Sequence, residues 1–245
     1  MKKIILILTL LLTITTNSFS EMISKSGFYD KNMKLQKDQT KDNIDDPGNK
    51  IILIYNSGQD YHDIPKSNLK DCANTVDIFA LATLVSTKIN NKEIMLYILC
   101  TQKLAGDDVN LWNKKKFKEP YKGTTKLDKA ANLNLKLIDN FVKIGTPANQ
   151  IFLTGHSCGA WNAIRYAAFK KELFGGTIAF NPNCWPKEEN NPVRQYLVGE
   201  LKTAKYANSL VFASPDDLTH DWKATSTDLA WIADIPGVKW FEYEK

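Results

Sequence analysis

The chain has 245 residues, with 32 Lys and Arg against 27 Asp and Glu, a formal charge of +5. That balance is too even to argue for nucleic acid or an anionic membrane surface as a partner. Hydrophobic residues make up 43% of the chain, close to the usual globular share, which excludes a disordered sequence and allows one sizeable core.

The first twenty residues have the pattern of a secretory signal. Lys2 and Lys3 form the basic start, Ile4 to Ile14 the apolar centre, and Ser18-Phe19-Ser20 the cleavage site before Glu21. The apolar run is shorter than the ~20 residues that a membrane span takes. No cysteine stands near the cut to carry a lipid. The expected mature chain therefore has 225 residues (245 minus 20) and a charge of +3 (30 basic against 27 acidic). It is secreted or periplasmic, with no stable membrane span after cleavage. All four cysteines, Cys72, Cys100, Cys158 and Cys184, lie in that mature part. An even count in an exported chain permits two disulfides in any of three connectivities, or else buried thiols. There is no Cys-x-x-Cys and no His/Cys cluster, so neither a metal site nor a cofactor is expected.

Residues 21–50 are rich in Lys, Asp and Asn and read as a polar arm or one edge hairpin. The main domain, 51–245, opens on a buried strand, Ile51 to Tyr55. A loop holding Gly58, Gln59 and His62 follows. The next helix is expected after Ser67, carrying Leu69, Val76, Phe79, Ala80 and Leu84 toward the sheet. Ile94 to Leu99 is the second strand. The polar stretch 101–125 is longer than a structural link needs, as binding loops often are. Thr125 to Lys143 reads as a helix on Leu127, Ala130, Leu133, Leu137, Ile138 and Phe141, stopped by Gly145 and Pro147. Later come strands at Thr177 to Phe180, Ser209 to Ala213 and Val238 to Tyr243, with helices near Pro192 to Lys202 and Thr227 to Ala233. Strands alternating with helices imply a doubly wound, mainly parallel sheet of about six strands.

One stretch stands apart. Ile151-Phe152-Leu153-Thr154 is an apolar run without polar alternation, as in a strand buried on both faces. It enters Gly155-His156-Ser157-Cys158-Gly159, and Ala160, Trp161, Ala163, Ile164 and Ala167 follow at helical spacing. Strand, glycine-flanked serine and helix together form the context of the G-x-S-x-G nucleophile elbow. The turn is tight, the serine backbone is strained, and a side chain at either glycine would collide with its neighbours.

With Gly145-Thr146-Pro147 upstream, this stretch resembles the dienelactone hydrolase and secreted esterase branch of the α/β-hydrolase superfamily. The resemblance runs from about Ile51 to the C-terminus and is specific at the elbow. It implies Ser157 as nucleophile and the N–H groups of Cys158 and Gln59 as oxyanion donors. Gln59 stands in Ser57-Gly58-Gln59, where many relatives have His-Gly followed by the donor. The acid is expected after the Ser209 to Ala213 strand, at Asp216 or Asp217, with Asp216 preferred. Relatives place the base after the final strand. Here His220 is the candidate that keeps the order Ser, Asp, His, while His156 is read as a packed residue and His62 as part of the oxyanion loop. Two functions follow. One is an exported serine hydrolase acting on a small-molecule carboxylic ester or related acyl compound. The other is a catalytically degenerate relative, with a binding role or none, that lacks the usual C-terminal histidine. In this topology Cys158 neighbours Cys184, and Cys72 neighbours Cys100, so those two disulfides are expected.

Overall fold

The computed structural model describes residues 25–56, 76–100, 126–183, 192–213 and 226–242. The signal segment, the 101–125 loop and Gln59, His62, Cys72, Cys184, Asp216, Asp217 and His220 lie outside the described residues. The strands are β1 (Gly27–Tyr29), β2 (Lys50–Asn56), β3 (Lys88–Ile89), β4 (Lys92–Leu99), β5 (Ile151–His156), β6 (Gly176–Phe180), β7 (Ser209–Ala213) and β8 (Val238–Glu242). The helices are α1 (Val76–Ala82), α2 (Lys126–Lys143), α3 (Cys158–Phe169) and α4 (Pro192–Lys202), with a 3-10 segment at Ser226–Asp234.

All eight strands form one sheet in the order β1-β4-β2-β5-β6-β7-β8, with β3 paired to β4. The strands β4, β2, β5, β6, β7 and β8 run parallel, as the apolar runs predict. Among the described residues only β1 and β3 are antiparallel, both against β4. From β2 the chain crosses to β4 on one side, and from β5 it crosses to β6 on the other. The strand order therefore reverses between β2 and β5, and the carboxyl ends of those strands border the crevice where ligands bind in open α/β sheets.

The central strands read as unbroken apolar runs because both their faces are covered. Ile52 and Ile54 of β2 pack with Leu153, Phe141, Trp161 and Ile164 on the side of α2 and α3. Leu53 and Tyr55 point the other way, against Ile78, Leu81, Leu96 and Ile98. Both sets are dry.

α2 ends as its sequence predicts. Gly145 adopts φ 109, a conformation that costs glycine little, and the Thr146 N–H donates back to Phe141 O at 3.0 Å.

Two expectations need correcting. The face of α1 is not the one read from the sequence. Ile78, Leu81, Ala82 and Val85 are buried, at the spacing of one helical stripe, while Ala80 and Leu84 are exposed and Phe79 is half-buried. Only Asp77 among the seven residues of α1 is polar, so periodicity could not choose a face. The first strand also continues one residue further than expected, to a buried Asn56.

The polar stretch before β2 joins the sheet through three residues. β1 turns back so that the Gln36 N–H donates to Phe28 O at 2.8 Å. Phe28 reaches the core edge-on to Tyr97 at 5.0 Å and also contacts Phe141 at 5.7 Å. Burial there pushes the Tyr97 phenol above its ordinary value, and the nearby Asp42 carboxylate adds to the shift.

Candidate active site

β5 delivers Ser157 to the carboxyl edge of the sheet. With three strands on either side along the pairing path, β5 is its central strand. α3 begins at the next residue, so the chain must reverse within Gly155, His156 and Ser157. Ser157 takes φ 53 and ψ −120, a conformation that L residues rarely adopt and that costs on the order of 1–3 kcal/mol. Its N–H donates to Phe180 O of β6 at 3.1 Å, and its own carbonyl accepts from the Trp161 N–H at 3.0 Å as α3 starts. The turn is thus held from the neighbouring strand and from its own helix.

The flanking glycines have one cause. A Cβ on Gly155 would lie 2.6 Å from Asn56 O, and one on Gly159 would lie 2.1 Å from the same oxygen. β2 ends against the elbow, and only residues without a Cβ let both pass. Asn56 is buried and fully engaged. Its Nδ2 donates to Asn134 Oδ1 at 3.2 Å, and Asn134 Nδ2 donates to Asn56 Oδ1 at 2.7 Å. Asn134, on α2, is buried too and also donates to Ala130 O at 3.0 Å.

The Ser157 hydroxyl donates to the main-chain carbonyl of Asn183 at 3.1 Å. The Asn183 N–H returns a bond to Ser157 O at 3.3 Å. Asn183 reaches this position because Asn181 turns the chain just after β6. Asn181 has φ 43, and its N–H donates to Phe212 O at 2.8 Å.

Of the residues singled out in the sequence, Ser157 and Cys158 stand together at this turn. Cys158 is fully buried as the first residue of α3, at the positive end of the helix dipole. His156 is half-buried at the end of β5, in register with Phe180. β7 runs parallel to β6 and ends at Ala213, so the chain leaves it at the same sheet edge as Ser157.

Three residues of the site were not foreseen. Asn134 had a sequence signal, because it interrupts the apolar stripe of α2 formed by Ala130, Leu137, Ile138 and Phe141. Asn56 and Asn183 had none. Among the described residues no group of His, Cys, Asp or Glu could hold a metal ion, and no helix is long and apolar enough to cross a membrane.

No protein-family model and no curated protein sequence matches the chain. Solved structures do. The acylaminoacyl peptidase of Pyrococcus horikoshii is similar with a TM-score of 0.52 at 13% identity, covering 96% of this chain and 39% of that one. Esterase 2 of Thermogutta terrifontis phosphoramylated by tabun is similar at 0.51 and 10% identity, covering 91% of this chain and 84% of that one. The same esterase phosphorylated by paraoxon gives 0.50 at 10% identity.

The chain has an α/β-hydrolase fold. The strand–turn–helix of β5 and α3 lies at the switch point of the sheet, and Ser157 holds its apex. The mainly parallel sheet read from the sequence is the α/β-hydrolase sheet, with β1 and β3 added antiparallel.

Proposed function

We propose that the protein is an exported serine hydrolase that cleaves a carboxylic ester or related acyl bond, with Ser157 as nucleophile. The observation that carries this reading is the backbone of Ser157. A serine held at φ 53 between a buried strand and a helix N-terminus, at the strand-order reversal, presents its hydroxyl where a ligand would lie. In the reaction, Ser157 Oγ attacks the acyl carbon while its proton passes to His220, which Asp216 orients, Asp217 being the alternative; the acyl C–O bond then breaks and His220 gives that proton to the departing alcohol. The Cys158 and Gln59 N–H groups would take the oxyanion, helped by the positive end of α3. Water then releases the acyl group by the same route. The Ser157 hydroxyl donates to Asn183 O, so it must rotate away from that carbonyl to meet a base.

Export is supported by the residues ahead of Glu21. The even count of four cysteines agrees with an oxidising compartment. We assign the pairs Cys72–Cys100 and Cys158–Cys184, to be checked by non-reduced peptide mapping.

The test is labelling of the purified mature protein with a fluorophosphonate, alongside turnover of a short-chain aryl ester. Ser157→Ala should abolish both. His220→Ala should lower turnover nearly as far, because the members of such a triad act as a unit. The catalytically degenerate reading draws support from the tie between Ser157 Oγ and Asn183 O. A wild-type protein that neither labels nor turns over ester would establish it.

A further inference from the structure

We infer that Asn134 is a positioning residue for Ser157, acting through Asn56 across the base of the elbow. This rests on the reading of Ser157 as the nucleophile. β2 stops at Asn56, whose carbonyl faces both elbow glycines, and whose own Cβ would lie 3.1 Å from a Cβ at Gly159. Wherever Asn56 sits, the turn carrying Ser157 must fit over it. A strand end would ordinarily be free to shift by a few tenths of an ångström, and here it is pinned. The Asn56 and Asn134 amides meet head to head at 2.7 and 3.2 Å, and Asn134 is anchored to Ala130 O of its own helix.

The pinning is orientational, because each amide both donates and accepts, and neither can rotate without losing both bonds. Asn56 Nδ2 also lies 3.4 Å from Thr154 O and 3.4 Å from Ile54 O, so the pair joins β2, β5 and α2 at one point. Both side chains are buried, which keeps water from substituting for a lost partner. A purely apolar contact would fill the same space without fixing direction. The next residues after Asn56 in the sequence are Ser57-Gly58-Gln59, the expected oxyanion segment.

The experiment compares the wild type with Asn134→Leu, Asn134→Asp and the double variant Asn56→Leu/Asn134→Leu. Three quantities are read: the rate of fluorophosphonate labelling at Ser157, kcat and KM for an aryl ester, and amide hydrogen exchange by peptide. In Asn134→Leu, labelling and kcat should fall by about tenfold or more, since a displacement near 1 Å at the reacting atoms costs about 100-fold. KM should stay within about twofold, because remote substrate contacts are untouched. Exchange should quicken in 50–56 and 151–162 while 209–213 and 238–242 keep their protection. The double variant removes both polar partners together, so it should regain thermal stability without regaining rate.

Asn134→Asp keeps the shape and one acceptor but turns a carboxylate oxygen toward Asn56 Oδ1 and Ala130 O, so it should show the same loss of rate. Unchanged labelling, exchange quickened evenly over the whole sheet, or a double variant that recovers rate along with stability would overturn the proposal. If the wild type itself shows neither labelling nor turnover, the nucleophile assignment fails. The exchange pattern then still decides whether Asn134 holds the elbow: quickening confined to 50–56 and 151–162 upholds it, and even quickening refutes it.

Discussion

The strands on the two sides of β5 are built differently. On one side β2 and β4 are sealed on both faces, with Ile52, Ile54, Leu96 and Ile98 almost without exposure. On the other, β7 and β8 leave Leu210 37% and Phe241 44% exposed. There Phe180, Phe212 and Phe241 stack across β6, β7 and β8, with centroids 5.5 and 5.1 Å apart, as half-covered aromatics do when only one flank is dry. Ser157 stands at the border between the two regions. Its glycines press on the sealed side through Asn56, and its hydroxyl meets the half-exposed Asn183 beyond β6. The serine backbone is therefore held by close contact in a dry region. The hydroxyl is held by one main-chain hydrogen bond near solvent, which costs little to exchange for another.

That comparison can be broken by substitution. The largest effect is expected from Gly159→Ala. Its Cβ would lie 2.1 Å from Asn56 O and 2.8 Å from Asn56 C, backbone atoms with no flexible side chain to give way. We expect a loss of about 3 kcal/mol in urea unfolding, at the upper end of overpacking costs, together with loss of Ser157 labelling. A variant of ordinary stability would show that β2 is not the wall it looks to be.

Leu96→Ala should cost a similar ~3 kcal/mol in stability but leave Ser157 labelling of the folded protein intact, a smaller effect in all, since a fully buried leucine of β4 leaves a cavity among rigid neighbours. The smallest effect is expected from Phe241→Ala, about 1 kcal/mol, because much of the ring is already in water and mainly the stacking is lost. Equal costs for Leu96→Ala and Phe241→Ala in the same unfolding assay would erase the distinction between the two sides.

Much of this architecture was legible in the residues. Pro192 to Lys202 and Ser209 to Ala213 have the bounds read from their patterns, and β4 contains the expected run from Ile94 to Leu99. Strands buried on both faces lose polar alternation, and that loss is visible without a structure. α1 was misread for the same physical reason in reverse. A short helix apolar nearly all round carries no phase, so the choice between Phe79 and Ile78 as the inward residue falls to the sheet beneath it. β1 was hidden because three residues are too few for a period, although Phe28 is one of the larger fully buried side chains.

The sequence alone determined the elements that depend on near neighbours: the parallel strands with their crossover helices, the glycine-flanked turn and the serine at its apex. Those follow from periodicity and from backbone sterics within a few residues, which any chain carries wherever it folds. Tertiary structure decided why those glycines are needed and what the serine touches. Asn56 meets Asn134 across 78 positions of chain, and Ser157 meets Asn183 across 26. Asn134 shows only as a break in the apolar stripe of α2, and which partner each group meets leaves no local trace, because an amide or a main-chain carbonyl reads the same in sequence whether it faces water or a partner. Only the register of β2 against β5, and the packing of α2 over them, puts those groups within hydrogen-bond reach and dries the space between them.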